Sequence, residues 1–458
     1  MTGLHGAFNN AIAGVKTQSV KFGSIADNIA NAATVGYKKS SVNFGDMVGT
    51  YLKPNFQVGG GVGLDVRQNI TLAGSLQLSN NATSLGLDGK GMFAVTNLTT
   101  ADGKTVSPLG SLAVTRKGDF AVDKKGNLVN SAGYALLGVA IPSPFAVGTA
   151  AKPPTGLISP ADLLAAKNAK AQLPPNTELG AGKLVPVSIP TEAMIAASQT
   201  LNAYIGVNLP AETAPGSSTV YSDKFSIINS QGVSKLVDVS YRRVATATAD
   251  GKGGTWEASL SGTGVTPATI TLHFDSSGKI TSPASGAVTV DGTAVTVHFD
   301  GYNAGNSSPP STMFDGDYAS LGAFTDGRAK GSSVGFEIDE TGIVTQHFSN
   351  GISLPRFQIP VASSINIDGL EAVSGDAFVA SNTSGAITLS LSTAGVAAGV
   401  ATASGSDSTF AQGVLEASNV DIAEEFTNMI KTQNAYATNA KVLTTLNEME
   451  GVASKLGQ

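Results

Sequence analysis

Phe8-Asn9-Asn10-Ala11-Ile12-Ala13-Gly14-Val15-Lys16-Thr17-Gln18-Ser19-Val20-Lys21-Phe22-Gly23-Ser24-Ile25-Ala26-Asp27-Asn28-Ile29 is the stretch on which the fold turns. Phe8, Ile12, Val15, Ser19, Phe22, Ala26 and Ile29 recur at alternating steps of four and three, the spacing of a helix-packing seam. Leu4 and Ile25 widen the stripe. The pattern predicts a helix from residue 3 to about 31, ~44 Å long at 1.5 Å per residue. It stops in Asn31-Ala32-Ala33-Thr34-Val35-Gly36, where Asn and Gly suit a helix end and a turn.

The other end of the chain carries the same device. Ile422, Phe426, Met429, Gln433, Tyr436, Ala440, Leu443 and Asn447 form a second stripe, flanked by Ile430, Ala437 and Leu446. Ser418 or Asn419 is the expected cap, with Asp421, Glu424 and Glu425 at the positive end of the helix dipole. Two readings stand for the pair. In one, both helices cover a sheet core within a single subunit. In the other, they pair with each other and then with further copies. The second face of each helix is rich in Ala, Thr and Asn and poor in charge, which favours the other copies. The spacing predicts that the apolar stripes close within one subunit and that the small-residue faces build the polymer.

Between the helices the chain reads as strands and turns. Glycine stands at 54 of 458 positions, and only 14% of residues are charged, below the usual share of about 25%. Residues 38–75 read as an extended linker around Gly59-Gly60-Gly61-Val62-Gly63. Gly91–Val95, Thr115–Val122, Asp123–Val129 and Gly133–Leu137 alternate apolar residues between glycine turns, as an antiparallel domain does. Proline and alanine dominate 141–200, with one helix candidate near 160–171. Strands return in Val237–Tyr241, Thr269–Phe274 and Val295–Phe299, with turns at Asp275–Gly278 and Asp339–Gly342. The fold class is therefore mixed: a discontinuous, multidomain β-rich chain whose terminal helices pair into a coiled-coil-like domain.

Chemistry is poorly supported. The chain has no cysteine, so disulfides and thiolate sites are excluded. His5, His273, His298 and His347 lack metal-ligand spacing, and the glycine run at 59–63 lacks the ending of a phosphate loop. The net charge of −6 offers no footprint for nucleic acid. No run of 18 apolar residues marks a membrane span, and the N-terminus lacks the look of a cleaved signal. No cofactor, metal or catalytic residue is expected.

The inner ends of the two helices are more specific. Asn28-Ile29-Ala30-Asn31-Ala32-Ala33-Thr34-Val35-Gly36-Tyr37-Lys38 resembles the N-terminal signature of bacterial flagellar rod and hook proteins, with Asp27 where Asn is usual. Ser418, Asn419 and Asp421, followed by Glu424-Glu425-Phe426, resemble the matching C-terminal signature. Thr115-Arg116-Lys117-Gly118-Asp119-Phe120, Gly126-Asn127-Leu128 and Gly133-Tyr134 match the shared β region. The length and the block from Val220 through Trp256 to Gly278 resemble the hook-type members, which carry an inserted β domain.

The resemblance implies a domain plan. Residues 1–37 with 419–458 form the helical assembly domain, and 38–75 with 396–418 a connecting linker. Residues 76–145 with 323–395 form an inner β domain, and 146–322 an outer one, with 146–200 a candidate separate insertion. It also implies a curved extracellular tube of many copies that joins rod to filament, transmits torque and encloses the export channel. Subunits would leave unfolded through the type III apparatus, without a cleaved signal, and meet rod, hook-cap and hook-filament junction proteins. Phe8 and Ile12 resemble a short export-gate signal. Distal rod or hook-associated junction proteins share the terminal signatures, and a secreted β-rich adhesin or enzyme is the alternative from another class.

Overall fold

The computed structural model describes residues 2–48, 59–97, 112–141, 184–190, 192–245, 253–283, 285–301, 309–391 and 408–456. Two long helices stand at its ends, α1 (Thr2–Ala30) and α2 (Ile422–Leu456). They lie antiparallel: Lys39, just past α1, pairs with Glu424 in the first turn of α2, while Gly14 faces Asn439. A Cβ on Gly14 would stand 3.0 Å from Asn439 Nδ2, so the Asn439 side chain packs directly on the glycine.

The seam corrects the expected one. The face of α1 turned to the protein carries Ala11, Thr17, Ile25 and Asn28, all buried. Ala11, Ile25 and Asn28 sit one position before Ile12, Ala26 and Ile29 of the predicted stripe, a turn of about 100° around the helix. On α2 the buried side chains are Glu425 and Thr432. Of the predicted stripe, Ile25 is buried with these small and polar residues, Phe8, Val15, Ile29, Met429 and Leu443 are half-buried, and Ile12, Phe22, Ile422, Phe426 and Tyr436 are exposed. Small side chains such as Gly, Ala and Thr let two helices come nearer than Phe and Ile do.

The described residues of the expected linker 38–75 are largely paired. β1 (Ser40–Val48) and β2 (Gly59–Gln68) form an antiparallel hairpin from Ser40↔Gln68 outward, lying along α1. The glycine run is the first half of β2. Beyond it, β3 (Leu76–Leu78) pairs with Val414–Glu416, and β4 (Leu85–Asp88) with Thr409–Gln412. The returning chain therefore enters the fold through two strand pairings before it reaches α2.

The inner body is one long, mostly antiparallel sheet. Its central strands are Ile343–Phe348, Ser353–Gln358, Tyr134–Ala140, Met92–Asn97 and Leu112–Thr115. Phe93 and Phe120 meet edge to face at 5.6 Å under it, with Phe410 at 6.2 Å from Phe93. Leu184–Pro186 pairs with Tyr134–Ala140, and Met194–Ile195 with Gly331–Ile338. The end of the 146–200 stretch thus belongs to the inner sheet rather than to the outer domain, because its apolar residues complete that core. The helix candidate near 160–171 lies outside the described residues.

One turn recurs through both β regions. Asp123, Asn229, Asp275 and Asp339 each begin a turn of the form Asp/Asn-x-x-Gly-x. In each, the side-chain Oδ1 accepts the amides two and four residues on, at 2.8–3.0 Å. The fourth residue takes φ between 75° and 89°, which glycine alone adopts without strain.

The outer domain is a two-layer sandwich. A five-stranded meander runs from Tyr221 to Ser282. It faces a four-stranded sheet in the order Ser285–Val290, Thr293–His298, Asn202–Asn208, Ala319–Thr325. Gly254–Ser261 and Ala268–Phe274 alternate buried and open positions, the period of half-buried strands. Trp256, Tyr241, Phe274 and Phe299 are the largest side chains of the core between the layers. The chain enters and leaves this domain side by side. Ser198 and Arg328 exchange backbone hydrogen bonds at 2.9 Å. The Asp326 carboxylate accepts the amides of Leu201 and Asn202 at 2.8 and 3.0 Å and the Asn202 side chain at 2.9 Å.

Candidate assembly site: the junction and the open helix faces

The two terminal signatures meet in one place, beneath the helix pair. Asn28, in the last turn of α1, is buried. Its Oδ1 accepts Ser40 N at 2.8 Å and the Tyr37 hydroxyl at 3.2 Å, and its Nδ2 donates to Ser40 O at 2.9 Å. One side chain thus holds the helix end to the strand that follows it. Asn31 Nδ2 donates back to Asp27 O at 2.9 Å, and Asn31 Oδ1 takes the Thr34 hydroxyl at 3.2 Å, closing the turn. Burial, then the charges of Asp27, Asp376 and Glu425, push the Tyr37 phenol up to about 12.

From the other end come Glu416 and Asn419. Asn419 Oδ1 accepts Lys39 N at 2.7 Å, and its Nδ2 donates to Asn69 O and Leu72 O, both at 3.0 Å. Asn419 is therefore spent on the junction and does not cap α2. Asp421 does so, accepting Ala423 N at 2.8 Å and Glu424 N at 3.2 Å. The Ser418 hydroxyl accepts Val420 N at 3.4 Å. Glu416 accepts the Lys38 ammonium at 2.7 Å on one oxygen and the Arg116 guanidinium at 3.0 Å on the other. All three side chains are at most 3% exposed. Lys38 also donates to Leu72 O at 2.6 Å, and Arg116 to Leu87 O at 2.9 Å. Burial pushes both cations below their usual range, while the charge and hydrogen bonds of Glu416 pull them back up.

Asn28, Asn31, Thr34, Gly36, Tyr37, Lys38, Ser418, Asn419 and Asp421 thus gather at the junction, and the backbone of Gly36 donates to Glu416 O at 2.8 Å. Sequence reasoning missed Glu416 and gave Arg116 no role. The available signal was a single acid in the otherwise apolar strand Val414-Leu415-Glu416-Ala417, directly before the signature.

The stripe residues stand elsewhere. Ile12, Phe22, Ile422, Phe426 and Tyr436 are exposed, and Phe8, Val15, Ile29, Met429 and Leu443 are half-buried. Ile422, Phe426 and Ile430 form an i, i+4, i+8 ridge on α2, 49–59% exposed. Apolar ridges of this size on a helix normally meet a partner. Among the described residues, no group of three or more acidic or His side chains is placed to hold a metal ion, and no helix is long and apolar enough to cross a membrane.

A closed β body with a small-residue helix pair and an open apolar ridge defines a class, the helix-tailed assembly subunit. Comparison with known proteins narrows it. Residues 411–456 match the family described as flagellar basal body rod FlgEFG protein C-terminal. The chain is 30% identical to the flagellar hook protein FlgE of Brucella melitensis, with 99% of each chain covered. It is 28% identical to that of Rhizobium meliloti, with 97% of each covered. The crystal structure of Helicobacter pylori flagellar hook protein FlgE2 matches with a TM-score of 0.51 at 14% identity, covering 68% of this chain and 96% of that one, and shows the fold. The chain belongs to the flagellar hook protein family.

Proposed function

We propose that the chain is a structural subunit that polymerises into the hook, a curved tube outside the cell that carries torque from rod to filament. In this reading the helix pairs stack as the inner wall around an export channel, and the β body and outer sandwich form the flexible sleeve. The observation that carries it is the open apolar surface of the helices: Ile12, Phe22, Ile422, Phe426 and Ile430 stay exposed in the subunit. A second copy covers that surface at a gain of ~1.5–3 kcal/mol per large side chain buried. Rod, hook-cap and hook-filament junction proteins would meet the same tube at its ends. Phe8 and Ile12 would serve the type III apparatus as a signal read before the chain folds, and delivery outside the cell would need no cleaved segment.

The test is polymerisation of the purified full chain carrying Phe426→Asp or Ile430→Asp. Burying an unpaired carboxylate in the ridge costs several kcal/mol. Electron microscopy and sedimentation should show subunits and no tubes, while the sandwich unfolds as in the unaltered chain. Tubes of normal length from both variants would overturn the reading.

A further inference from the structure

The charges of the junction do not balance within either end of the chain. Lys38 and Arg116 bring two buried cations from the N-terminal side, and among the described residues Glu416 alone pairs with both. Asp368 acts on Lys38, and Asp88 on Arg116, through space only. The carboxylate arrives from 378 residues beyond Lys38 and 300 beyond Arg116. It also accepts the amide of Gly74 at 2.8 Å, where a Cβ would lie 1.9 Å from Ala417 O. The last strand, Val414–Glu416, is therefore threaded tightly between Lys38 and Gly74, which precede the β body, and Arg116, which belongs to it. Until it arrives, the segment from Asn28 to Lys39 has nowhere to dock without burying unpaired cations.

We propose that Glu416 is a latch. The terminal helix pair seats on the β body only when this carboxylate enters between Lys38 and Arg116, so the helical domain closes last and only on a chain whose C-terminal strand is in place. The latch acts within one subunit and holds whether or not subunits polymerise.

The test is residue-resolved hydrogen exchange on the full chain with Glu416→Gln, which keeps the shape and removes the charge. The amides of Gly36, Lys39 and Gly74 should exchange about a hundredfold faster, the loss expected when a buried ion pair is broken on one side. Sheet amides at Val95 and Leu136, and those around Trp256, should stay protected. Adding Lys38→Met removes one uncompensated cation and should recover about tenfold of the lost protection. Unchanged exchange at the three junction amides would overturn the latch. So would equal loss across the sheets, or a double variant no better than the single one.

Discussion

The outer sandwich and the terminal helices solve opposite problems with the same residue types. In the sandwich, Trp256, Tyr241, Phe274 and Phe299 are sealed between two sheets, although Leu236 and Phe314 lie about half exposed on its surface. At the ends, Thr17, Asn28, Glu425 and Thr432 are buried, and Ile12, Phe22, Phe426 and Ile430 are exposed. The core of the sandwich is closed within one subunit. The helix pair is complete inside and unfinished outside. The helix pair is rooted by the buried Lys38–Glu416–Arg116 cluster, whereas the sandwich rests on its aromatic core.

The comparison can be broken most forcefully at the sandwich. Trp256→Ala should cost about 3–5 kcal/mol of sandwich stability, read by denaturant titration, and leave the junction amides protected. If the junction loosened equally, the two regions would not be independent. Next comes the seam. Gly14→Leu overpacks the approach to Asn439 and should cost about 1–3 kcal/mol in helix docking, of which improved helix propensity returns up to about 1; the helical signal lost on melting reports it. A net gain would mean that the close approach is not required.

Tyr37→Phe should cost about 0.5–1.5 kcal/mol at neutral pH through the hydrogen bond to Asn28. Its pH dependence has a definite sign. The folded phenol titrates at about 12 and the unfolded one at 10.0, so the folded state keeps a proton that the unfolded state loses. The contribution is whole below pH 10 and disappears between 10 and 12. Alkaline unfolding of Tyr37→Phe should therefore fall less steeply with pH in that window than that of the unaltered chain. The smallest effect is expected where the ridge is open. Phe426→Ser should change subunit stability by no more than about 0.5 kcal/mol, while tube formation drops sharply. A large loss in the isolated subunit would place Phe426 in an internal core instead.

Much of the plan was legible in the residues. Two periodic stretches marked both helices to within about a residue, because amphipathic period needs no partner to be visible. The turns at Asp275 and Asp339 were equally plain, since Asp and Gly at that spacing act locally. Which face of α1 turned inward was not legible. The apolar stripe and the small-residue stripe lie one position apart, and choosing between them needs the separation of two helices far apart in sequence. The alternation of Leu64-Asp65-Val66-Arg67 was visible in β2, but its pairing with Ser40–Val48 was not, because no local pattern names a strand's partner. Glu416 was invisible as a site because its meaning lies in Lys38 and Arg116, which no local pattern connects to it.

The clasp at Ser198, Asp326 and Arg328 has a mechanical consequence. Both connections of the sandwich leave the inner sheet at one corner, bound to each other by backbone hydrogen bonds and the Asp326 carboxylate. A pull applied along the helical ends runs through the inner sheet and returns without crossing the sandwich. The outer domain lies beside that path, so its size and shape can vary without lengthening the chain between the helices and the inner sheet.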